Sequence, residues 1–386
     1  MRHKPPTTLE PSPLRGEGRE GVGRDLGRAA PAPPSPQPLP PQGGGARFLL
    51  LLAAIFLLTA CTPPLYKQQA YVFGTLVEIT THGAPEASAR PAVDAVLREF
   101  DRMHRTLHPW EPGPMETVNA AIARGEKRIP LPPGIAPLLR DAARLSALSD
   151  GLFNPAIGNL VRLWGFHTDA FAARLPDPAA VARLVRARPA MADLKIDDDA
   201  LASANPAVRI DLGGYAKGYA LDQAAAILKQ HGIANALINI GGNVMALGSK
   251  GGTPWRVGIQ HPRRAGALAM LELQDGEAIG TSGDYQRFFE LDARRYSHLI
   301  DPRNGQPVAT MQAVTVLTRG AAAGVRSDVA SKPLFVAGPG GWREMAQRLG
   351  VTEALAVEAD GKIRVTRALA ARLTWPEPKT PVDIID

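Results

Sequence analysis

The chain has 386 residues and a single cysteine, Cys61. One cysteine forms neither an intramolecular disulfide nor a cysteine-rich metal site, so both are excluded. Aromatic residues make up only 5% of the sequence, and no block of Lys and Arg residues interleaved with aromatic residues occurs. The net charge of +7 therefore gives little support to nucleic-acid binding.

The cysteine ends an apolar run. Residues 48–60 (FLLLLAAIFLLTA) follow Arg47 and lead directly into Cys61. This length is short for a membrane span and suits the hydrophobic core of a signal peptide. The ending L-T-A-C resembles the cleavage box of bacterial lipoproteins, in which the cysteine is lipidated. We therefore predict export and a lipid anchor at Cys61 on the periplasmic face of the inner membrane. The alternative is a buried cysteine at the end of a short core helix.

The segments around this run predict the domain organisation. Residues 1–47 are rich in Pro and Gly, which indicates disorder, and they also place the apolar run unusually far from the start. They form either a disordered extension or a segment upstream of the true translation start. Residues 62–68 are predicted as a tether, because Thr-Pro-Pro cannot continue a helix. We expect a catalytic domain over 69–376 and a tail over 377–386.

Apolar periodicity predicts the secondary structure of this domain. Helices are expected over 86–107, 134–148, 178–187, 217–231, 328–336 and 342–349. Strands are expected over 69–81, 207–212, 236–240, 255–260, 271–273 and 313–318. Strands outnumber the helices that could cross between them, so an α+β fold is favoured over a doubly wound sheet.

Residues 278–305 gather hydroxyl, imidazole and carboxylate side chains, as chemistry on a polar substrate would require. Thr281 to Asp284 reads as a polar turn, and residues 296–302 read as a short strand that carries His298 and Asp301 into a turn. A histidine is the side chain whose ordinary pKa best suits proton transfer near neutrality. Taken alone, the stretch also fits a hairpin with a structural histidine.

A glycine-rich turn offers a candidate phosphate site. Residues 210–219 (IDLGGYAKGY) read as the end of a strand, a Gly213-Gly214 turn and the start of a helix. Adjacent glycines allow close backbone approach, and a helix N-terminus with Lys217 suits an anion. The segment matches neither the P-loop nor G-x-G-x-x-G. A tight turn with a surface lysine is the alternative.

Three further features each allow two interpretations. Residues 239–243 (NIGGN) form either a hairpin turn or a backbone cradle for a polar ligand. Asp328 is either a helix cap or a metal ligand. His104 and His108 have a spacing that can bind a metal, but no third ligand follows at a recognisable interval, which favours exposed or end-capping roles.

The motifs together resemble the ApbE family, the FAD:protein FMN transferases, from Phe73 to about residue 357. They occur in one order: IDLGGYAKGY, NIGGN, PWRVGI, TSGDY, YSHLIDPRNG and SDVASKPLFVAG. The resemblance implies a single catalytic unit of mixed and antiparallel sheets flanked by helices, related to the T-fold. It also implies Mg²⁺-dependent transfer of FMN from FAD to a Thr or Ser hydroxyl of an exported respiratory redox protein, with release of AMP. Two alternatives are an FAD pyrophosphate hydrolase and a non-catalytic flavin-binding lipoprotein.

The resemblance also implies roles for individual residues. His298 is expected to activate the acceptor hydroxyl. The Gly214 carbonyl and Asp328 are expected to bind the metal, with Ser331 as a candidate third ligand. The residues expected to contact the flavin nucleotide are Phe73, Trp110, Phe153, Asn154, Pro155, Asp211, Lys217, Thr281, Ser282, Gly283, Asp284, Leu299 and Ile300.

Three positions depart from the family pattern. Phe73 stands where Met is frequent, and Asn154 replaces the usual Asp, which removes a charge. Lys332 stands four residues after Asp328, where many members carry a Thr that binds the metal. A protonated lysine has no lone pair to donate. Either Ser331 replaces the Thr, or Lys332 contacts phosphate and supplies part of the metal's charge.

Overall fold

The structure, a computed structural model, describes residues 64–168, 170 and 172–386. The predicted extension over 1–47, the apolar run over 48–60 and the lipidation site Cys61 lie outside these residues. Within the described ranges, no helix is both long and apolar enough to cross a membrane.

The centre of the described chain is a nine-stranded sheet in the order β1-β2-β6-β7-β10-β15-β16-β17-β19. Neighbouring strands are antiparallel except β17 and β19, which are parallel. The strands are β1 Leu65–Val72, β2 Thr75–His82, β6 Ala236–Ile240, β7 Asn243–Leu247, β10 Glu277–Gly283, β15 Met311–Arg319, β16 Glu353–Glu358, β17 Ile363–Thr366 and β19 Val382–Ile385.

Smaller sheets and helices complete the fold. The remaining strands are β3 Ile129–Pro130, β4 Leu194–Ile196, β5 Ala200–Ser203, β8 Trp255–Gln260, β9 Ala267–Leu273, β11 Phe288–Leu291, β12 Arg294–Ser297, β13 Ile300–Asp301, β14 Gln306–Pro307 and β18 Leu373–Thr374. The α-helices are α1 Glu86–Leu107, α2 Pro114–Ala123, α3 Ile135–Leu148, α4 Gly158–Leu163, α5 Pro178–Ala187, α6 Gly213–Gln230, α7 Ala323–Arg348 and α8 Arg367–Ala370, with a 3₁₀ turn at Met191–Asp193. The predicted α+β class is confirmed.

Both faces of the central strands are covered. Along β15, Ala313 and Leu317 pack in a core with residues of β8 and β9. The alternate residues Val314 and Val316 pack against α7. Because successive side chains of a strand point to opposite faces, this strand is apolar on both faces rather than on one.

A close crossing of α6 and α7 brings the second half of the domain to the first. A Cβ at Gly218 would lie 2.4 Å from the Gly324 carbonyl oxygen, so only glycine permits this contact. Asp222 of α6 accepts hydrogen bonds from the backbone N–H groups of Gly324 (2.8 Å) and Val325 (2.9 Å) at the start of α7. These contacts place Asp328 against the first turns of α6.

Several predicted elements need correction. Residues 69–81 form two strands, because Phe73 (φ 56°) and Gly74 (φ 67°) make a two-residue turn between β1 and β2. Residues 207–212 form no strand and make only one bridge, between Arg209 and Ile157. The helix predicted to begin at Lys217 begins at Gly213. The two helices predicted over 328–336 and 342–349 are joined as α7, with a break at Gly338.

Thr281–Gly283 also differ from expectation, because they continue β10 rather than forming a turn. Their polar side chains are accommodated by hydrogen bonds: Thr281 Oγ1 lies 2.9 Å from Thr315 Oγ1, and Ser282 Oγ lies 2.8 Å from Ser331 Oγ. The strand predicted over 296–302 is interrupted at residues 298–299. The predicted tail contributes β19, and residues 65–68 of the predicted tether belong to β1.

Candidate functional site

A cavity of about 1210 Å³ lies among the described residues, where the hairpin turn after β1, the start of α6, β8, the end of β10 and the segment before β13 meet. Its volume exceeds the usual range for a small-molecule site and suits a dinucleotide. The predicted site residues that line it are Phe73, Trp110, Phe153, Asn154, Pro155, Asp211, Gly214, Lys217, Thr281, Ser282, His298, Leu299 and Ile300. Gly283, Asp284, Asp328 and Ser331 do not line it.

Aromatic side chains on the cavity wall are held by packing. The Phe73 ring lies 5.7 Å from the Phe100 ring and 5.9 Å from the His104 ring. The guanidinium carbon of Arg209 lies 4.6 Å from the centre of the Trp110 ring, a cation–π contact. Held in this way, both rings present flat apolar surface suited to an aromatic ligand.

Residues 154–155 are fixed to the start of α6. The Asn154 side chain donates to the Pro189 carbonyl (2.9 Å) and accepts from the Ala156 N–H (3.0 Å), so its amide stabilises its own loop. The Asp211 N–H donates to the Pro155 carbonyl (2.8 Å). The Asp211 carboxylate accepts from the Gly213 N–H (2.8 Å), and burial raises the pKa of Asp211.

His298 lies between β12 and β13. Its backbone N–H donates to the Arg287 carbonyl (3.0 Å), and its Nδ1 lies 3.2 Å from the same oxygen. Because a carbonyl oxygen only accepts, Nδ1 carries the proton and Nε2 retains its lone pair. Loss of hydration, with the charges of Arg287, Lys217 and Lys332, lowers the pKa of His298 to about 3. The imidazole is therefore neutral at pH 7 and has the form required of a general base.

Lys217, Arg287 and Lys332 are cationic side chains that line the same cavity, and the exposed Arg256 lines it as well. Burial lowers the pKa of Lys217; Asp328 opposes this shift, and the charges of Lys332 and Arg287 add to it. Lys217 and Lys332 come from the facing helices α6 and α7. This concentration of positive charge suits a diphosphate.

Asp328 is buried beside this wall. One of its carboxylate oxygens accepts from the Gly218 N–H (2.8 Å), and the other lies 2.5 Å from Lys332 Nζ. Ser331 Oγ contacts the Asp328 carbonyl oxygen at 2.9 Å as well as Ser282 Oγ. Within the described residues, no group of three or more His, Cys, Asp and Glu side chains is arranged to hold a metal ion. The three predicted ligands are oxygen donors, and only one of them is a carboxylate.

Asp284 and Gly283 have structural roles beside the cavity. The Asp284 carboxylate forms a two-point ion pair with Arg263, at 2.7 and 2.6 Å. A Cβ at Gly283 would lie 2.3 Å from the Tyr285 ring, so the glycine accommodates that ring. Tyr285 itself lines the cavity. These two residues therefore lie next to the cavity wall without lining it.

His108 directly follows α1 and has a capping role. Its Nδ1 accepts hydrogen bonds from the backbone N–H groups of Trp110 (3.3 Å) and Glu111 (3.0 Å). It therefore caps the loop that carries Trp110, which matches the end-capping alternative. His104 contacts its ring edge-on at 5.1 Å, and burial lowers the pKa of His104.

Sequence reasoning missed several cavity residues. Arg287 belongs to the stretch recognised as chemically important, but its role depends on the fold, which brings its carbonyl oxygen to His298. The apolar lining was also missed, because its members alternate along ordinary buried strands: Leu237, Val244, Val257, Ile259 and Ile279. The Gly241-Gly242 turn, considered as a ligand cradle, does line the cavity.

Comparisons with known proteins agree with this architecture. The model of the ApbE family matches residues 73–356. An FAD:protein FMN transferase of Rhodobacter capsulatus is 42% identical over 344 residues, which is 88% of this chain and 65% of that protein. An FAD:protein FMN transferase of Klebsiella pneumoniae is 32% identical over 80% of this chain and 90% of its own length.

Solved structures give the same result. The crystal structure of an ApbE protein from Thermotoga maritima aligns with a TM-score of 0.72 and 27% identity, covering 80% of this chain and 99% of that one. The apo form of the Pseudomonas stutzeri flavinyl transferase ApbE aligns with a TM-score of 0.69 and 30% identity, over 82% and 98% of the two chains.

Proposed function

The chain belongs to the ApbE family, and we propose that it transfers FMN from FAD to a Thr or Ser hydroxyl of an exported redox protein and releases AMP. The observation that carries this proposal is the convergence of a neutral His298 with Lys217, Arg287 and Lys332 on one dinucleotide-sized cavity. Aromatic surfaces suit the flavin, and the cations suit the diphosphate.

The chemistry follows from these residues. The acceptor hydroxyl oxygen attacks the phosphorus of the FMN half while His298 Nε2 takes the hydroxyl proton. The bond between that phosphorus and the bridging oxygen breaks, and AMP leaves with the electron pair. The product is a phosphodiester between FMN and the acceptor side chain. Lys217, Arg287 and Lys332 stabilise the negative charge on the phosphates during the transfer.

The proposal includes Mg²⁺, as the family resemblance implies. Asp328, the Gly214 carbonyl and Ser331 would hold the ion, and such oxygen donors fit its preference for hard ligands. When bound, Mg²⁺ would supply charge neutralisation at the diphosphate. Lys332 is paired with Asp328 in this structure, so it affects the binding of the metal there.

The proposal also includes location and partners. A lipid anchor at Cys61 would hold the enzyme at the periplasmic face of the inner membrane, near membrane-bound acceptors. By family resemblance these acceptors are subunits of sodium-pumping quinone oxidoreductases, Rnf-type electron-transport complexes or flavin-binding regulators of respiratory reductases.

One assay tests the proposed activity. We expect the purified protein with FAD and Mg²⁺ to release AMP only when an acceptor domain is present, and the acceptor to gain the mass of FMN. AMP release without an acceptor would instead indicate an FAD hydrolase. Tight FAD binding without AMP in either reaction would contradict both enzymatic functions and indicate a flavin-binding protein.

Phe73 provides a test of the flavin surface. Phe73→Gly should weaken FAD binding about tenfold or more, because the ring that faces the cavity is lost. Folding stability should change by only about 1 kcal/mol, since relief of the left-handed backbone offsets the lost ring contacts. Flavin fluorescence titration and thermal melting measure the two effects.

Asp292→Gly is the matched control for this variant. Asp292 also has a positive φ (51°), in the exposed turn between β11 and β12, and it does not line the cavity. This control should leave FAD affinity unchanged. Equal FAD affinity in Phe73→Gly and the wild type would contradict the placement of the flavin against Phe73.

A further inference from the structure

We propose that the Lys332 ammonium occupies the position on Asp328 that a divalent metal would take. The metal then binds well only after FAD has moved this ammonium from Asp328 to its phosphates. This inference rests on the proposed function for the identity of the diphosphate ligand.

The contacts of Lys332 are those expected of a cation bound to Asp328. Its Nζ lies 2.5 Å from Asp328 Oδ1 and 2.7 Å from the Asp328 carbonyl oxygen. The side chains of Lys332 and Asp328 are only 17% and 2% exposed. The other carboxylate oxygen accepts the Gly218 N–H. Each oxygen of this carboxylate therefore already has a donor.

The lysine stem also passes close to Gly214, whose carbonyl is the second predicted metal ligand. A Cβ at Gly214 would lie 2.9 Å from Lys332 Cε and 3.1 Å from Cδ, so the lysine stem runs directly over this glycine. The Lys332 stem thus passes Gly214, and its ammonium contacts Asp328. The Lys332 side chain therefore lies close to both residues, Gly214 and Asp328, that are predicted to bind the metal.

The third predicted ligand is engaged as well. Ser331 Oγ is hydrogen-bonded to Ser282 Oγ and lies 2.9 Å from the Asp328 carbonyl oxygen. In the free protein, a divalent ion would therefore have to break a buried ion pair and rearrange these hydrogen bonds. Breaking a buried pair without a replacement is strongly unfavourable. The charges of Lys217 and Arg287 on the same cavity oppose the ion further.

FAD changes this balance. Lys332 lines the cavity, so its ammonium can reach a phosphate oxygen there while its stem stays over Gly214. An ammonium paired with phosphate no longer neutralises Asp328, and the two charges of the diphosphate offset the neighbouring cations. Asp328 then becomes available to a divalent ion. Binding of FAD and binding of metal should consequently be positively coupled.

Direct titration with Mn²⁺, followed by the electron paramagnetic resonance signal of the free ion, tests the inference on the full-length protein. Without FAD, Lys332→Thr and Lys332→Met should each bind Mn²⁺ at least about tenfold more tightly than the wild type. With FAD, the wild type should approach the variants. Lys332→Met keeps the apolar stem over Gly214 and separates loss of the ammonium from gain of a hydroxyl. Lys229→Thr, which removes an exposed charge near the end of α6, should behave as the wild type.

Equal Mn²⁺ affinity of the wild type and both variants in the absence of FAD would overturn the inference. If a variant folds poorly, its melting temperature should rise with Mn²⁺ more than that of the wild type, and an equal rise would count against the inference. The measurement without FAD is independent of catalysis. An affinity gap together with absent FMN transfer would overturn the proposed function alone, whereas transfer without the gap would overturn the role of Lys332 alone.

Discussion

Replacing His298 with Ala should lower FMN transfer by about 10²–10⁴-fold, the usual cost of losing a general base. The Arg287 carbonyl fixes the proton on Nδ1 and leaves Nε2 free to accept the hydroxyl proton. Alanine removes that acceptor and leaves the cations of the cavity in place. FAD affinity should therefore stay within about threefold of the wild type, because the diphosphate contacts remain. Initial rates of FMN incorporation and FAD titration measure the two effects.

His231→Ala is the matched control, because His231 is exposed at the end of α6 and does not line the cavity. It should transfer FMN at the wild-type rate. An unchanged rate in His298→Ala would assign His298 a structural role instead. Loss of FAD binding in parallel with loss of rate would show that the histidine holds the nucleotide rather than the acceptor proton.

The pKa of His298 adds a second readout. Its folded-state pKa of about 3 lies below the ordinary value of 6.5. Below pH 6.5 the unfolded chain takes up a proton that the folded chain refuses, so His298 lowers stability as the pH falls from about 6.5 to about 3. His298→Ala should show a shallower loss of stability over this range. Chemical denaturation at a series of pH values measures the difference, and equal slopes would contradict a neutral, partly buried imidazole.

Local patterns predicted the elements whose sequence shows one clear period. The helix over 86–107 was predicted with the observed bounds, because its apolar residues recur on one face and Pro85 and His108 lie outside its ends. The NIGGN segment was predicted as a possible hairpin turn and is one, with Gly241 at φ 57° and Gly242 at φ 92°. In both cases the information lies within the segment itself.

Tertiary contacts decided the elements that were predicted wrongly. Thr281 and Ser282 read as a turn because they are polar, yet their hydroxyls find partners on β15 and α7. Residues 69–81 read as one strand because apolar and polar residues alternate there, yet Phe73 adopts a positive φ, which is rare for a bulky residue. The packing of its ring against Phe100 and His104 stabilises that conformation.

For the site as well, local sequence predicted part of the arrangement and tertiary contacts decided the rest. The motif segments supplied much of the cavity wall, since each of them contributes at least two of its lining residues. The sequence did not predict that Lys332 would pair with Asp328, although both were noted and lie one helical turn apart. Whether such a pair forms depends on the burial of both groups, and the close crossing at Gly218 and Gly324 contributes to the burial of Asp328.

Replacing Asp328 with Ala should abolish Mg²⁺-dependent FMN transfer while leaving part of the FAD affinity. The substitution removes the only carboxylate among the predicted metal ligands. It also leaves the Gly218 N–H without its acceptor and the Lys332 ammonium without its carboxylate, with only the backbone carbonyl of residue 328 still accepting from it, which should destabilise the fold by about 3–5 kcal/mol. Asp328→Asn separates the two effects, because its amide oxygen can still accept from Gly218 while the negative charge is lost. Initial rates across a Mg²⁺ titration, together with chemical denaturation, measure both.

Asp222→Ala is the control for destabilisation alone, because Asp222 caps the start of α7 from the same helix that carries Gly218. It should lower stability by about 1–2 kcal/mol without changing the Mg²⁺ dependence of transfer. If Asp328→Asn kept the wild-type response to Mg²⁺, the metal assignment would be wrong, whereas Lys332 could still neutralise the diphosphate by itself. If Asp328→Asn lost transfer but bound FAD more tightly, the freed lysine would have moved to the phosphates. That result would show that the Asp328 carboxylate and the FAD phosphates compete for the Lys332 ammonium.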